Sequence, residues 1–125
     1  MELSTRYLLD TNAIIYLING KLAFPLQEDG KYSVSIITEI ELLSFPGISV
    51  QEEQKIRNLL LLLDRIQLTE AVRDATITLR RNNKIKLPDA IIAASALIQG
   101  AALLTNDQVF LSIDGLIVQP LQILN

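Results

Sequence analysis

The sequence predicts an α/β domain built on a parallel, right-handed sheet. Three observations lead there. The run Tyr7-Leu8-Leu9 ends abruptly in Asp10-Thr11-Asn12, and a helical pattern follows at once at Ile14, Ile15 and Ile18. That is how a buried parallel strand hands over to its crossover helix. Strand-length apolar runs then alternate with helix-length periodic ones along the whole chain. Finally, the 125 residues are half apolar, enough for one domain (residues 1–125) with a sizeable core, and no repeat, linker or low-complexity stretch divides them.

Taken in order, residues 5–9 read as the first strand and 11–18 as a helix closed near Asn19-Gly20. A short helix around Leu22 to Gln27, interrupted by Pro25, and a turn at Asp29-Gly30 come next. Residues 32–37 alternate and then turn apolar, a second strand. Thr38 opens a helix through Leu43, stopped by Pro46-Gly47. Residues 50–64 are helical, with Glu52/Lys55 and Glu53/Arg57 at helix-surface spacing. The five consecutive leucines from Leu59 to Leu63 are apolar on every helical face and are expected in the core or at an interface. Residues 65–68 read as a third strand and 69–83 as a helix capped by Thr69. Pro88 suits the first turn of a small-residue helix over 88–99 that ends at Gly100. Residues 101–104 make a fourth strand, a helical turn follows near 109–111, and a last strand is expected at 116–118.

Composition narrows the chemistry. There is no cysteine and no histidine, so thiolate sites, disulfides and the commonest general base are all absent. Any metal must be held by oxygen, which favours magnesium or manganese. Glu2 and Arg6 interrupt the N-terminus before an apolar signal core builds up, and the longest uncharged stretch, Ala90 to Asn106, is short and polar for a membrane span. A soluble, cytoplasmic protein is expected. The net charge of −3 gives no overall basic footprint for nucleic acid. The bases are nevertheless uneven: Arg80, Arg81, Lys84 and Lys86 crowd together, and no Lys or Arg follows Lys86. That cluster is either a strip for phosphates or a solvated helix end whose cations suit the dipole.

Four acids stand at strand exits or helix starts: Asp10, Glu41, Asp89 and Asp107. Parallel strands bring their carboxyl ends to one rim, where open α/β sheets bind ligands, so these acids can converge. Each also has a structural reading. Asp10 or Thr11 can cap a helix. Thr38-x-x-Glu41 matches a capping box, and Glu39, projecting about 200° away around the helix, is the alternative acid. Asp89 can complement a helix dipole, and Asp107 can be a turn residue. As a group, however, the four cannot all ionise in a dry site without a counter-charge. A divalent cation supplies one, and such a set suits metal-assisted phosphodiester hydrolysis.

With these residues assembled, the chain resembles the PIN-domain family, in particular the VapC-type toxins of bacterial toxin–antitoxin pairs. The matching segments are LLDTNAII at 8–15, SIITEIELL at 35–43, KLPDAIIAASAL at 86–97 and LLTND at 103–107. The resemblance implies a three-layer α/β/α sandwich with a mostly parallel sheet and a Mg2+- or Mn2+-dependent ribonuclease. It carries Asp10, Glu41, Asp89 and Asp107 over as metal-holding catalytic acids, with Thr11, Asn12 and Thr105 supporting them. It also implies an RNA substrate and a cognate antitoxin. The leucine run and a mean hydropathy of +0.34 point to apolar surface covered by partners, a second copy of the chain among them. Three rivals remain. A receiver-like signalling module would need a lysine after a late strand, and none follows Lys86. An aspartate-nucleophile phosphatase would need an acid where Asn12 stands. A PIN-like scaffold would bind RNA or protein without cutting.

Overall fold

The computed structural model describes residues 5–22 and 30–124. Five strands form one sheet: β1 (Arg6–Leu9), β2 (Lys31–Ser35), β3 (Asp64–Ile66), β4 (Ala102–Leu104) and β5 (Val118–Gln119). Their spatial order is β3-β2-β1-β4-β5, and every pairing is parallel. The helices are α1 (Thr11–Ile18), α2 (Ile36–Leu43), α3 (Val50–Leu60), α4 (Glu70–Asn82) and α5 (Leu87–Gln99), with a 3-10 helix at Gln108–Ser112.

Strand alternation divides the core into two layers. Leu8 and Leu103 face one side, where α4 and α5 cover them with Val72, Leu79 and Ile92. Tyr7, Leu9, Ala102 and Leu104 face the other, against Ile14 of α1 and Ile56 and Leu60 of α3. The result is the expected three-layer sandwich. Helix α5 lies flat on the sheet because Ala90, Ala93, Ala94 and Ala96 are all buried and small. It stops at Gly100, whose φ of +63° is a left-handed conformation that suits glycine.

Most boundaries hold within one or two residues, and the exceptions have local causes. The second strand ends at Ser35 instead of continuing to residue 37. Ser35 caps α2 by accepting from the Ile37 amide at 3.2 Å, so Ile36 and Ile37 are helical despite their β-branched side chains. Thr38 therefore lies inside α2, whose cap is Ser35, so the capping-box alternative for Thr38 and Glu41 does not hold. A capping box does form at Ser49 and Glu52. Helix α3 ends at Leu60, and β3 starts at Asp64. The leucine run is split as a consequence: Leu60 and Leu63 are buried, while Leu61 and Leu62 are 74% and 75% exposed. The last strand lies at Val118–Gln119, two residues later than expected at its start. Helix α4 ends at Asn82, so Arg80 and Lys84 do not share one helix face. The helix expected over Leu22–Gln27 and the turn at Asp29-Gly30 fall largely on residues 23–29, outside the described residues. Leu22 itself forms an isolated bridge with Ile123.

Candidate active site

The strand order reverses between β1 and β4, so their carboxyl ends flank the sheet's topological switch point. Leu9 and Leu104 are in register, which sets Asp10 beside Thr105 although 95 residues separate them. Asp10 caps α1. One carboxylate oxygen accepts from the Ala13 amide at 2.8 Å, and the other accepts from the Thr105 hydroxyl. Only 4% of Asp10 is exposed. The sequence offered a choice between cap and site residue for Asp10; the structure makes it a cap that also faces the other acids. Burial pushes its carboxyl above the usual range, opposed by the bonds from Thr105 and Ala13 and reinforced by the charges of Asp107 and Asp89.

Thr105 is the hinge between two of the acids. Its hydroxyl donates to Asp10 and accepts from the Asp107 amide at 3.0 Å. Asp107 in turn caps the 3-10 helix, accepting from the Val109 amide at 3.0 Å. Asn106, singled out by nothing in the sequence, clamps this turn. Its amide oxygen accepts from the Leu121 amide at 2.7 Å, and its amide nitrogen donates to the Leu121 carbonyl at 3.2 Å. A partner 15 residues away leaves no local sequence signal.

Asp89 stands in the first turn of α5, half-buried, with no hydrogen bond to its side chain among the described residues. Burial raises its carboxyl too, and the charges of Asp107 and Glu41 add to that. Lys86, at the cap of the same helix, works against them. Glu41 reaches the site from α2 and accepts from the Thr11 hydroxyl at 2.9 Å. Thr11 also contacts the hydroxyl of Thr38 at 3.0 Å. Glu39 faces elsewhere and is paired with Arg65. Thus Asp89 senses Glu41 and Asp107, and Asp10 senses Asp89 and Asp107. Four acids from four separate segments share one electrostatic neighbourhood. Asn12, by contrast, is exposed and bonds to none of the described side chains.

Among the bases of the described residues, Lys86 is the one whose charge bears on an acid of this rim, opposing the rise at Asp89. Arg80 donates to the Ile85 carbonyl at 3.4 Å, across the loop that leads to α5. Arg81 and Lys84 are exposed at the end of α4 and in that loop.

Among the described residues, no three acids are drawn together tightly enough to hold a metal ion on side chains alone. The donor chemistry nevertheless fits one kind of ion. Every donor is a carboxylate oxygen at an open rim. Magnesium keeps several waters and is usually held by one or two carboxylates together with substrate phosphate.

The profile of the PIN domain matches residues 7–116, nearly the whole chain and all four acids. The chain belongs to the PIN-domain family. A comparison with curated proteins returns no match. Among solved structures, this PIN domain is similar to a chain of VapBC2 from Rickettsia felis bound to a DNA fragment from their promoter. The two share 25% identity and superpose with a TM-score of 0.80, over 93% of this chain and 98% of the other. A chain of a toxin–antitoxin complex from Klebsiella pneumoniae is 29% identical, with a TM-score of 0.76 over 89% and 95% of the two chains. A chain of VapBC-1 from nontypeable Haemophilus influenzae is 27% identical, with a TM-score of 0.75 over 93% and 98%. The sheet order also separates this domain from the receiver-like alternative, whose strands run 2-1-3-4-5.

Proposed function

We propose that this PIN domain is a metal-dependent endoribonuclease and the toxin of a toxin–antitoxin pair. The observation that carries the reading is the rim itself. Asp10, Glu41, Asp89 and Asp107 arrive from four segments at the switch point, and burial plus mutual repulsion raise Asp10 and Asp89. A fold keeps such an arrangement when something positive is meant to occupy it. The complexes to which the chain is similar support the toxin role and a cognate antitoxin as partner.

Asp10, Glu41 and Asp89 would lead in holding Mg2+ or Mn2+, with Asp107 completing the pocket. When bound, the cation supplies counter-charge, activates water for attack on phosphorus and stabilises the leaving oxygen. The chain's own residues provide the rest. The Ala13 amide and the Thr105 hydroxyl hold both oxygens of Asp10, so its carboxylate cannot rotate away. Thr11 aims Glu41, which is otherwise exposed. Lys86 favours the charged form of Asp89 and, with Arg80, Arg81 and Lys84, would form the basic strip that meets RNA phosphates. Asn12, exposed and without a side-chain bond among the described residues, is available to substrate or water. RNA in the cytoplasm is the substrate such a protein would meet. Leu61 and Leu62, both solvent-facing, offer apolar surface to a second copy or to the antitoxin.

The test is incubation of the purified protein with a labelled single-stranded RNA, in magnesium or in excess chelator. Internal cleavage in magnesium that stops in chelator supports the reading. RNA binding without cleavage in either condition would instead make the protein a PIN-like scaffold.

A further inference from the structure

We propose that Thr38 is a positioning residue for Glu41, acting through Thr11. This rests on the metal-dependent reading of the rim. Sequence patterning placed Thr38 at the start of a helix, but it is fully buried inside α2. A buried hydroxyl in a helix commonly bonds back to the carbonyl four residues earlier. Here it meets the hydroxyl of Thr11, 27 residues away, at 3.0 Å.

The direction of this interaction follows from counting hydrogens. A hydroxyl has one proton to give. Thr11 spends its proton on Glu41, whose ionised carboxylate can only accept, at 2.9 Å. Thr11 must then accept from Thr38. The chain runs Thr38 to Thr11 to Glu41, with each link polarising the next. Without Thr38, the Thr11 hydroxyl can turn and Glu41 loses its fixed partner. Glu41 needs that partner more than Asp10 does, because it is exposed and no backbone amide holds its side chain among the described residues.

Groups that orient a metal-holding side chain change metal affinity or activity by about 10–100-fold when removed. Thr38→Val deletes the hydroxyl at nearly constant volume, and Thr38→Ser keeps it. The experiment titrates Mn2+ into the full chain and follows free ion by its paramagnetic resonance signal. Thermal melts run in parallel. Thr38→Val should weaken Mn2+ binding about tenfold, and Thr38→Ser should restore it. In a Glu41→Gln background Thr38→Val should no longer affect Mn2+ binding, although any loss of melting temperature persists. Should Thr38→Val fail to fold, Thr38→Ala removes the same hydroxyl without adding a methyl group. Wild-type affinity in a folded Thr38→Val or Thr38→Ala protein overturns the inference alone. An equal loss with and without the Glu41 carboxylate also overturns it, because Thr38 would then be merely structural. No Mn2+ binding by the wild type overturns the metal-dependent reading and this inference with it.

Discussion

Replacing Thr105 with valine removes one hydroxyl that serves two partners. Thr105 is 2% exposed, so water cannot take the hydroxyl's place. Its donation to Asp10 is a bond to a charged group, worth about 1.5–3 kcal/mol, and the bond it accepts from Asp107 is worth about 0.5–1.5 kcal/mol. The loop around Asp107 can relax toward solvent, so the Asp10 contribution should dominate, and a loss of about 2–3 kcal/mol is expected. At roughly 4 °C per kcal/mol for a domain of this size, the melting temperature should fall by roughly 8–12 °C. The pH dependence identifies the cause. The Thr105 bond favours the charged form of Asp10, so removing it raises an already raised carboxyl further. The valine deficit should therefore be fullest at neutral pH and shrink as pH falls through the raised folded-state values of the two proteins, below which Asp10 is protonated in both folds. In an Asp10→Asn background the deficit should drop by at least half. Urea melts from pH 4 to 7.5 measure all of this. A deficit below about 0.5 kcal/mol, or one that ignores pH and Asp10, would refute the reasoning.

Asp10 and Asp89 both have raised carboxyls in the fold, so the folded state binds more protons than the unfolded chain between the unfolded and folded values, and stability from these groups falls as pH rises through that window. Magnesium should reverse part of that loss; calorimetry that shows no rise in melting temperature at saturating metal and neutral pH counts against the site. The two acids of α2 should separate cleanly. Glu39→Gln breaks a part-exposed ion pair with Arg65, costing at most about 1 kcal/mol and leaving cleavage intact, whereas Glu41→Gln should abolish cleavage with little change in stability. Charge removal at Arg80, Arg81, Lys84 and Lys86 should weaken RNA binding in calcium, and the log–log salt slope should fall by about 0.7 for every phosphate left without its cation. An unchanged slope with all four replaced makes the cluster a solvated helix end.

The rim was legible because each acid follows an apolar run or opens a periodic one, and parallel strands leave their exits on one side. Helix geometry set Glu39 and Glu41 on different faces of α2, and the family resemblance favoured Glu41; in the fold Glu39 pairs with Arg65 and Glu41 accepts from Thr11. What stayed hidden depends on interactions made only after folding. Ile36 and Ile37 carry β-branched side chains and read as strand, but the Ser35 cap makes them helix. The pattern Thr38-x-x-Glu41 fits a capping box by spacing alone; once α2 starts two residues earlier, the same threonine points inward. Its bond with Thr11, like that of Asn106 with Leu121, joins segments that no local window contains together. The leucine run could not be divided from sequence, because the end of α3 at Leu60 decides which leucines turn outward.

The central claim is that four distant acids form one site that acts as a unit. Initial rates of RNA cleavage at fixed magnesium measure this most directly, for Asp10→Asn, Asp89→Asn and the double variant, each confirmed folded by circular dichroism. Groups that act as a unit are strongly non-additive. Each single variant should therefore lose activity by about 100-fold or more, and the double should be scarcely worse than the weaker single. Losses that multiply, or a double variant that still cleaves at the wild-type rate, would contradict the claim.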